Sequence, residues 1–433
     1  MKDSKINPFG KLRINGEQGR TIKSIKGREI LDSRGNPTIE VELKTKEGIF
    51  SASVPSGASK GKYEAVELRD EDGRGVSKAI ANIEKIIVPT LEKEDLTDQK
   101  RIDEILIQLD GTKNKSRLGT NAILAVSMAV CRAGSASKSL PLYKHISQLA
   151  KMAENSSLPV LPKPCFNIIN GGAHAENELD FQEFMIVPQE NKFSKNFQMG
   201  VEIYQQLKEI IEEKFSNLAV NIGDEGGFAP PIRAPEEALD LILNAAKNLG
   251  YQEKIKIIID IASSQFFSQG KYRMKIGEFT SEELINYYSD LIEKYPILGL
   301  EDPFSEEDWE GWQKIKLKIK NLKLKILLIG DDLLATNPER MRIAKKKDAC
   351  DAMIIKPNQI GTVTEAIEAA KLAKKFDWKI IVSHRSGETE DDFIADLAVG
   401  IGAEFIKSGA PFAKERMVKY NRLVKIEEEI TVR

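Results

Sequence analysis

The sequence predicts an α/β protein: a (β/α)8 TIM-type barrel over residues 157–433, a smaller α+β domain over residues 21–156, and a tail over residues 1–20. Three observations carry this. In the first part, strand-like runs come first and helical patterns follow, as in an α+β unit. Beyond Ser156–Pro164, a stretch with three prolines, strand-like and helical runs alternate with a repeat of roughly 25–40 residues, the rhythm of βα units closing into a barrel. Finally, six successive apolar runs each stop at an ionisable or polar residue.

The elements follow in order. Thr21–Ile30, Thr38–Leu43 and Ile49–Val54 read as strands, the last two joined by a hairpin loop at Lys44–Gly48. Val76–Leu91 puts Ile80, Ile83 and Ile87 on one side of a helix, and Asp98–Leu109 does the same with Ile102, Ile105 and Leu109. Ala122–Ala133 is apolar and rich in small residues, too short to span a bilayer, and reads as a buried helix. In the second part the runs and their last residues are Ile255–Ile259 at Asp260, Ile297–Leu300 at Glu301, Ile326–Gly330 at Asp331, Ala352–Ile355 at Lys356, Ile380–Val382 at Ser383 and His384, and Glu404–Ile406 at Lys407. Helical segments such as Ser281–Lys294, Val363–Phe376 and Asp391–Val399 lie between them. Periodicity alone leaves an open doubly wound sheet as the other arrangement.

Composition narrows the function classes. With 41% hydrophobic and 30% charged residues, a chain of 433 residues can bury a large core without staples. A formal charge of −2 gives no reason to expect nucleic acid or an acidic membrane as partner. Three scattered cysteines are too few for a disulfide framework or a zinc site and fit a reducing compartment. The polar N-terminus has no apolar stretch of the secretory kind.

In a barrel the C-terminal ends of the strands converge on one mouth, where active sites sit. The punctuation would therefore gather three acids, two lysines and a Ser-His-Arg-Ser cluster around one cavity. Asp260, Glu301 and Asp331 would repel one another and raise each other's pKa unless a cation joined them. An all-oxygen set suits magnesium; plain salt bridges are the other reading. Lys356 and Lys407, near a second ammonium and a divalent ion, would have lowered pKa values, which makes a neutral amine accessible as a base. Glu225 lies in a glycine-rich run, Gly223–Gly227, that lets backbone approach a ligand, or simply turns. His174 closes another glycine-rich loop, followed by Gln182 and Glu183 on the strand-like run Phe181–Val187. Val54–Lys62 fails as a P-loop, because its glycine spacing is one short and Tyr63 stands where Ser or Thr is needed; it reads as a mobile loop.

Together these pieces resemble the enolase family (phosphopyruvate hydratases). The motifs are SRGNPTIEVEL at Ser33, VPSGASKG at Val54, NGGAHA at Asn170, GDEGGFAP at Gly223, EDPF at Glu301, KPNQIGT at Lys356 and SHRSGETEDD at Ser383, and the match runs from about Ile25 to Glu429. The resemblance implies a barrel whose first helix and second strand depart from the parallel pattern. It implies a glycolytic lyase that dehydrates 2-phosphoglycerate to phosphoenolpyruvate through an ene-diolate, with two Mg²⁺ per site. Lys356 resembles the base at C2. Glu225, with Glu183 beside it, resembles the acid at the departing hydroxyl. Asp260, Glu301 and Asp331 look like ligands of the tighter ion, and Ser59 of the second. Arg385 and Ser386 resemble the phosphate cradle, Lys407 and Gln182 look like substrate contacts, and His174 and His384 lie close by. The resemblance further implies a cytoplasmic homodimer or octamer, with a cell-surface pool in some members. Two other readings stay open: a non-catalytic scaffold on the same fold, and another acid-sugar enzyme of the same superfamily.

Overall fold

A computed structural model describes residues 22–58, 61–151, 159–215 and 220–431. The tail, Ser59 and the first three residues of the interdomain stretch (156–158) fall outside these residues. Strands β1 (Ser24–Leu31), β2 (Pro37–Lys44) and β3 (Ile49–Ser53) form an antiparallel meander. The helix Thr120–Ser137 packs across β2 and β3. Its small residues let it lie close to the sheet, and nearly every side chain is buried, as its composition predicts. The helical run expected over Val76–Leu91 is interrupted by a π-helical turn, Ile83–Ile87. Pro89 follows one residue into the next turn and cannot donate an i→i−4 bond, so the ladder shifts there.

Eight strands close into a barrel: β4 (Lys163–Asn170), β5 (Glu183–Pro188), β6 (Ile255–Asp260), β10 (Ile297–Glu301), β11 (Leu327–Gly330), β12 (Ala352–Ile355), β13 (Lys379–Ser383) and β14 (Phe405–Lys407). Between β6 and β10, the short strands β7 (Phe267–Ser268), β8 (Lys271–Met274) and β9 (Gly277–Phe279) make a separate meander. β5 runs antiparallel to both β4 and β6, and the other barrel pairs are parallel. The chain order at the start of the barrel is thus strand, strand, helix, helix, with Phe193–Phe215 and Pro235–Asn248 both preceding β6. The closed barrel excludes the open sheet.

A strand's side chains alternate faces, so every second residue points inward. Cys165, Met185, Val187, Ile258, Ile329, Ala352, Ile354, Ile381 and Phe405 form an apolar cluster of their own. Two residues further along the same face come Asp260 after Ile258, Asp331 after Ile329, Lys356 after Ile354, Ser383 after Ile381 and Lys407 after Phe405. On the reversed β5 the same step runs backwards, from Met185 to Glu183. The interior face therefore changes from apolar to ionisable at one level of the barrel.

The smaller sheet is tied to this mouth. Ser56 and Gly387 exchange two backbone hydrogen bonds, and Arg132 forks onto Asp391 (2.6 and 2.9 Å) and reaches Asp392 (2.9 Å).

Candidate active site

Eleven of the thirteen residues singled out in the sequence line one cavity at the mouth: His174, Gln182, Glu183, Glu225, Asp260, Asp331, Lys356, His384, Arg385, Ser386 and Lys407. Glu301 lies directly beneath, bonded to Lys407. Ser59 falls outside the described residues, though Gly57 and Ala58 line the same cavity.

Strand register brings the acids together. Glu301 pairs with Asp260 across β10 and β6, and Asp260 with Glu183 across β6 and β5. The Lys407 ammonium sits among all three, 2.9 Å from Glu183, 3.1 Å from Asp260 and 2.9 Å from Glu301. Burial alone would lower its pKa, but Asp260, Glu183 and Glu301 hold it well above the usual lysine value. Burial, with Asp260 next to it, pushes Glu301 well up. Lys356 is in contact with Asp331, whose other oxygen accepts from Gln359 (3.0 Å). Burial works against ionisation of Asp331, and Lys356 and Lys407 nonetheless hold it below the ordinary aspartate value.

The expectation of lowered lysines changes here, for Lys407 as for Lys356. Lys356 is raised, not lowered: burial and the nearby Arg385 and Lys407 act downward, but the contact with Asp331 wins. Moreover, Asp260, Glu301 and Asp331 are not one of the tight carboxylate groups among the described residues. Those groups are His174–Glu183–Glu225 and Asp302–Asp331–Asp332, each with ligand atoms within 4.8 Å of one another. Lys407 lies between Asp260 and Glu301, and Lys356 takes Asp331, so ammonium groups supply the positive charge the acids require. The donor set nevertheless fits a hard divalent cation. It is all oxygen, buried, and carries enough mutual repulsion to draw in two lysines.

Across the cavity lies a carboxylate–imidazole cluster. His384 Nδ1 faces the Arg416 guanidinium at 2.5 Å, and an arginine can only donate. Its proton is therefore on Nε2, which donates to Glu225 at 3.1 Å. Burial, followed by Arg416, brings His384 down to about 3, so the ring is neutral. Burial opposes the charge on Glu225, yet His384 and His174 hold it well below the ordinary value. Glu183, buried beside Glu225, is raised. Of this pair, Glu183 is the one disposed to carry a proton. His174 approaches both, at 3.4 and 3.8 Å.

On the remaining side, the Arg385 guanidinium donates to Glu64 (2.9 and 3.2 Å) and to Asn358 (3.0 Å). Ser386 Oγ accepts from the Ala58 N–H at 2.7 Å. The acids after Ser386 bind protein groups: Glu388 holds Lys419, and Asp391 accepts the Phe393 N–H at the start of the next helix. Sequence reasoning passed over Glu64, Asp302, Asp332 and Arg416. The doublets Glu301-Asp302 and Asp331-Asp332 were a usable signal, since both members lie at a strand end. Asp302 accepts the backbone N–H groups of Asp331 (3.1 Å) and Asp332 (2.7 Å), and Gln265 donates to Gln182 at 2.5 Å.

Two family models match: the enolase N-terminal domain over residues 22–146 and the enolase C-terminal TIM barrel domain over residues 158–433. The chain belongs to the enolase family. It is 54% identical to enolase B of Dictyostelium discoideum, over 95% of each chain. It is 49% identical to the enolase of Mastigamoeba balamuthi, over 95% of this chain and 96% of that one. As an enolase it is a lyase of glycolysis, and no observation favours the scaffold or acid-sugar alternatives. Among the described residues no helix is long and apolar enough to cross a membrane.

Proposed function

We propose that this enolase interconverts 2-phosphoglycerate and phosphoenolpyruvate in the cavity described, through an ene-diolate, with two Mg²⁺ ions. Asp260, Glu301 and Asp331 would hold the first ion, and Ser59 the second. Bound there, the ions supply concentrated positive charge for the dianionic intermediate. Lys356, once it has released Asp331 and shed its own proton, would take the C2 proton. The Glu183–Glu225 pair returns a proton to the C3 hydroxyl as it leaves. Arg385 and Ser386 take the phosphate, and Lys407 and Gln182 hold the carboxylate end. His174 and His384 tune the acid pair. Removing a proton beside an anionic carboxylate is costly in water, and fixed cations aimed at the developing charge make up the difference.

The observation that supports this best is the meeting, in one buried cavity, of an acid set that demands cations and a carboxylate–imidazole pair that can pass a proton. Formation of phosphoenolpyruvate, followed by absorbance with and without Mg²⁺, tests it. Lys356→Ala is expected to lose both turnover and exchange of the C2 hydrogen with deuterated solvent. Glu225→Gln is expected to lose turnover and keep exchange. Turnover that survives both a chelator and Lys356→Ala would sink the reading. The same reading takes the chain as a tail (1–20), an α+β domain (21–156) and a barrel domain (157–433), assembled in the cytoplasm as a homodimer or octamer. Sedimentation velocity decides between these assemblies.

A further inference from the structure

Residues Gly61–Glu64 lie just past the glycine-rich loop and touch the barrel on two sides. On the outer side, the Tyr63 ring covers the Arg340 guanidinium at 4.1 Å, and Trp309 covers it at 4.6 Å. Arg340 is itself buried and fixed, donating to the carbonyls of Leu333 (2.9 Å) and Glu306 (2.6 Å). The Tyr63 hydroxyl donates to Glu307, which also accepts from Lys62 at 3.0 Å. On the inner side, the next residue, Glu64, enters the cavity. Its two oxygens accept from Nη1 and Nη2 of Arg385 at 2.9 and 3.2 Å. The Glu64 carboxylate also accepts from the Gly61 N–H (3.1 Å) and from Gln359 Nε2 (3.4 Å), and Gln359 in turn reaches Asp331.

A guanidinium is planar, and a bidentate carboxylate fixes both its position and the rotation of its plane. A flexible residue could not do this cheaply. Glu64 can, because its neighbour is clamped between a buried arginine and a carboxylate. We propose that Tyr63 and Glu64 form one clasp between the two parts of the molecule, acting as positioning residues that aim Arg385 at the phosphate of the substrate. The inference rests on the reading of Arg385 as the phosphate contact, and it adds two residues that the site's chemistry does not itself use. It also explains why the guanidinium is charge-balanced by Glu64, which lies outside the proposed metal set. The balance leaves the charge near the phosphate set by geometry, not by an unpaired cation.

Steady-state kinetics on 2-phosphoglycerate, with inhibition by inorganic phosphate as a second readout, test it. Glu64→Gln keeps the shape and loses the charge-assisted fork; KM is expected to rise about tenfold with kcat changed less than about threefold. The phosphate inhibition constant should rise in parallel. Tyr63→Ala should give the same split, and Tyr63→Phe, which keeps the ring on Arg340, should recover most of the loss. Combining Tyr63→Ala with Glu64→Gln should add little to either alone, because both act through Arg385. A thermal midpoint within a few degrees of the parent separates positioning from general unfolding. Arg385→Lys is the control for the underlying reading: if it leaves KM unchanged, the phosphate assignment itself fails. If Arg385→Lys raises KM while Glu64→Gln leaves it within about twofold, or lowers it, the clasp is overturned and the phosphate assignment stands.

Discussion

Arg416 shows how much one side chain can carry. Fully buried, it donates to His384 Nδ1 and to the carbonyls of Arg385 (2.7 Å), Ser386 (2.6 Å) and Asp224 (2.9 Å). It therefore selects the tautomer of His384 and pins the two loops that carry Glu225 and Arg385. Replacing it with methionine takes the donor from the carbonyls of Arg385 and Asp224, while Ser386 keeps the Ser33 hydroxyl at 3.2 Å, and costs about 2 kcal/mol. A denaturant titration checks the loss. The same variant should raise the pKa of His384, since Arg416 is one of the groups that hold it down. NMR titration of the ring is expected to show the parent neutral at pH 5 and the variant protonating at higher pH. A His384 that titrates identically in both proteins would break the link between Arg416 and the imidazole.

Among elements, the turn after β10 has the most leverage. Asp302 sits at φ 40°, in the left-handed region, and its carboxylate gathers two N–H groups from the start of the Asp331-Asp332 turn. It thereby fixes where β11 delivers Asp331. Asparagine tolerates this backbone conformation and keeps one acceptor, whereas alanine offers neither. Asp302→Ala is expected to cost about 2 kcal/mol and to demand more Mg²⁺ for half-maximal activity, with Asp302→Asn the milder change. A Mg²⁺ titration of activity, alongside urea midpoints, reads both. The placement of Asp331 was legible in the sequence because the apolar run Ile326–Gly330 stops there. The same punctuation exposed Asp260, Lys356 and Lys407. It failed for β4, where the prolines at 162 and 164 read as a boundary, although Pro164 pairs with Ile406 inside the barrel. The reversal of β5 was expected only through the family resemblance, because period-2 alternation carries no direction. The pairing of lysines with the acids was invisible for a different reason: a strand-end pattern names the charges at a mouth and not which neutralises which.

Over the whole molecule, two buried histidines shape the response to acid. His145 is fully buried, and neither ring nitrogen has a hydrogen-bond partner among the described residues. Burial, with Lys138 adding to it, brings it down to about 4 from the ordinary 6.5. A histidine kept neutral in the fold but free to protonate when unfolded favours the folded state above pH 6.5. That advantage is lost as pH falls toward 4, and it amounts to up to about 3 kcal/mol for this group. His384 adds a loss of the same sign over a window reaching about pH 3. Unfolding free energy is therefore expected to fall from pH 7 to pH 4, and His145→Leu should flatten the slope. An unchanged slope would assign the acid sensitivity elsewhere.

The reversed strand has a consequence for engineering. In a regular barrel each chemical group at the rim comes from its own strand–helix unit and can be exchanged with that unit alone. Here one hairpin presents Asn170 and Glu183 as directly paired neighbours, with His174 in the connection between them. Asn170, His174 and Glu183 are thus inherited as a single block, while Glu225 arrives on a separate loop. A chimera that splits β4 from β5 should fold into a barrel and make no product, whereas one that moves the hairpin whole keeps Asn170, His174 and Glu183 in register.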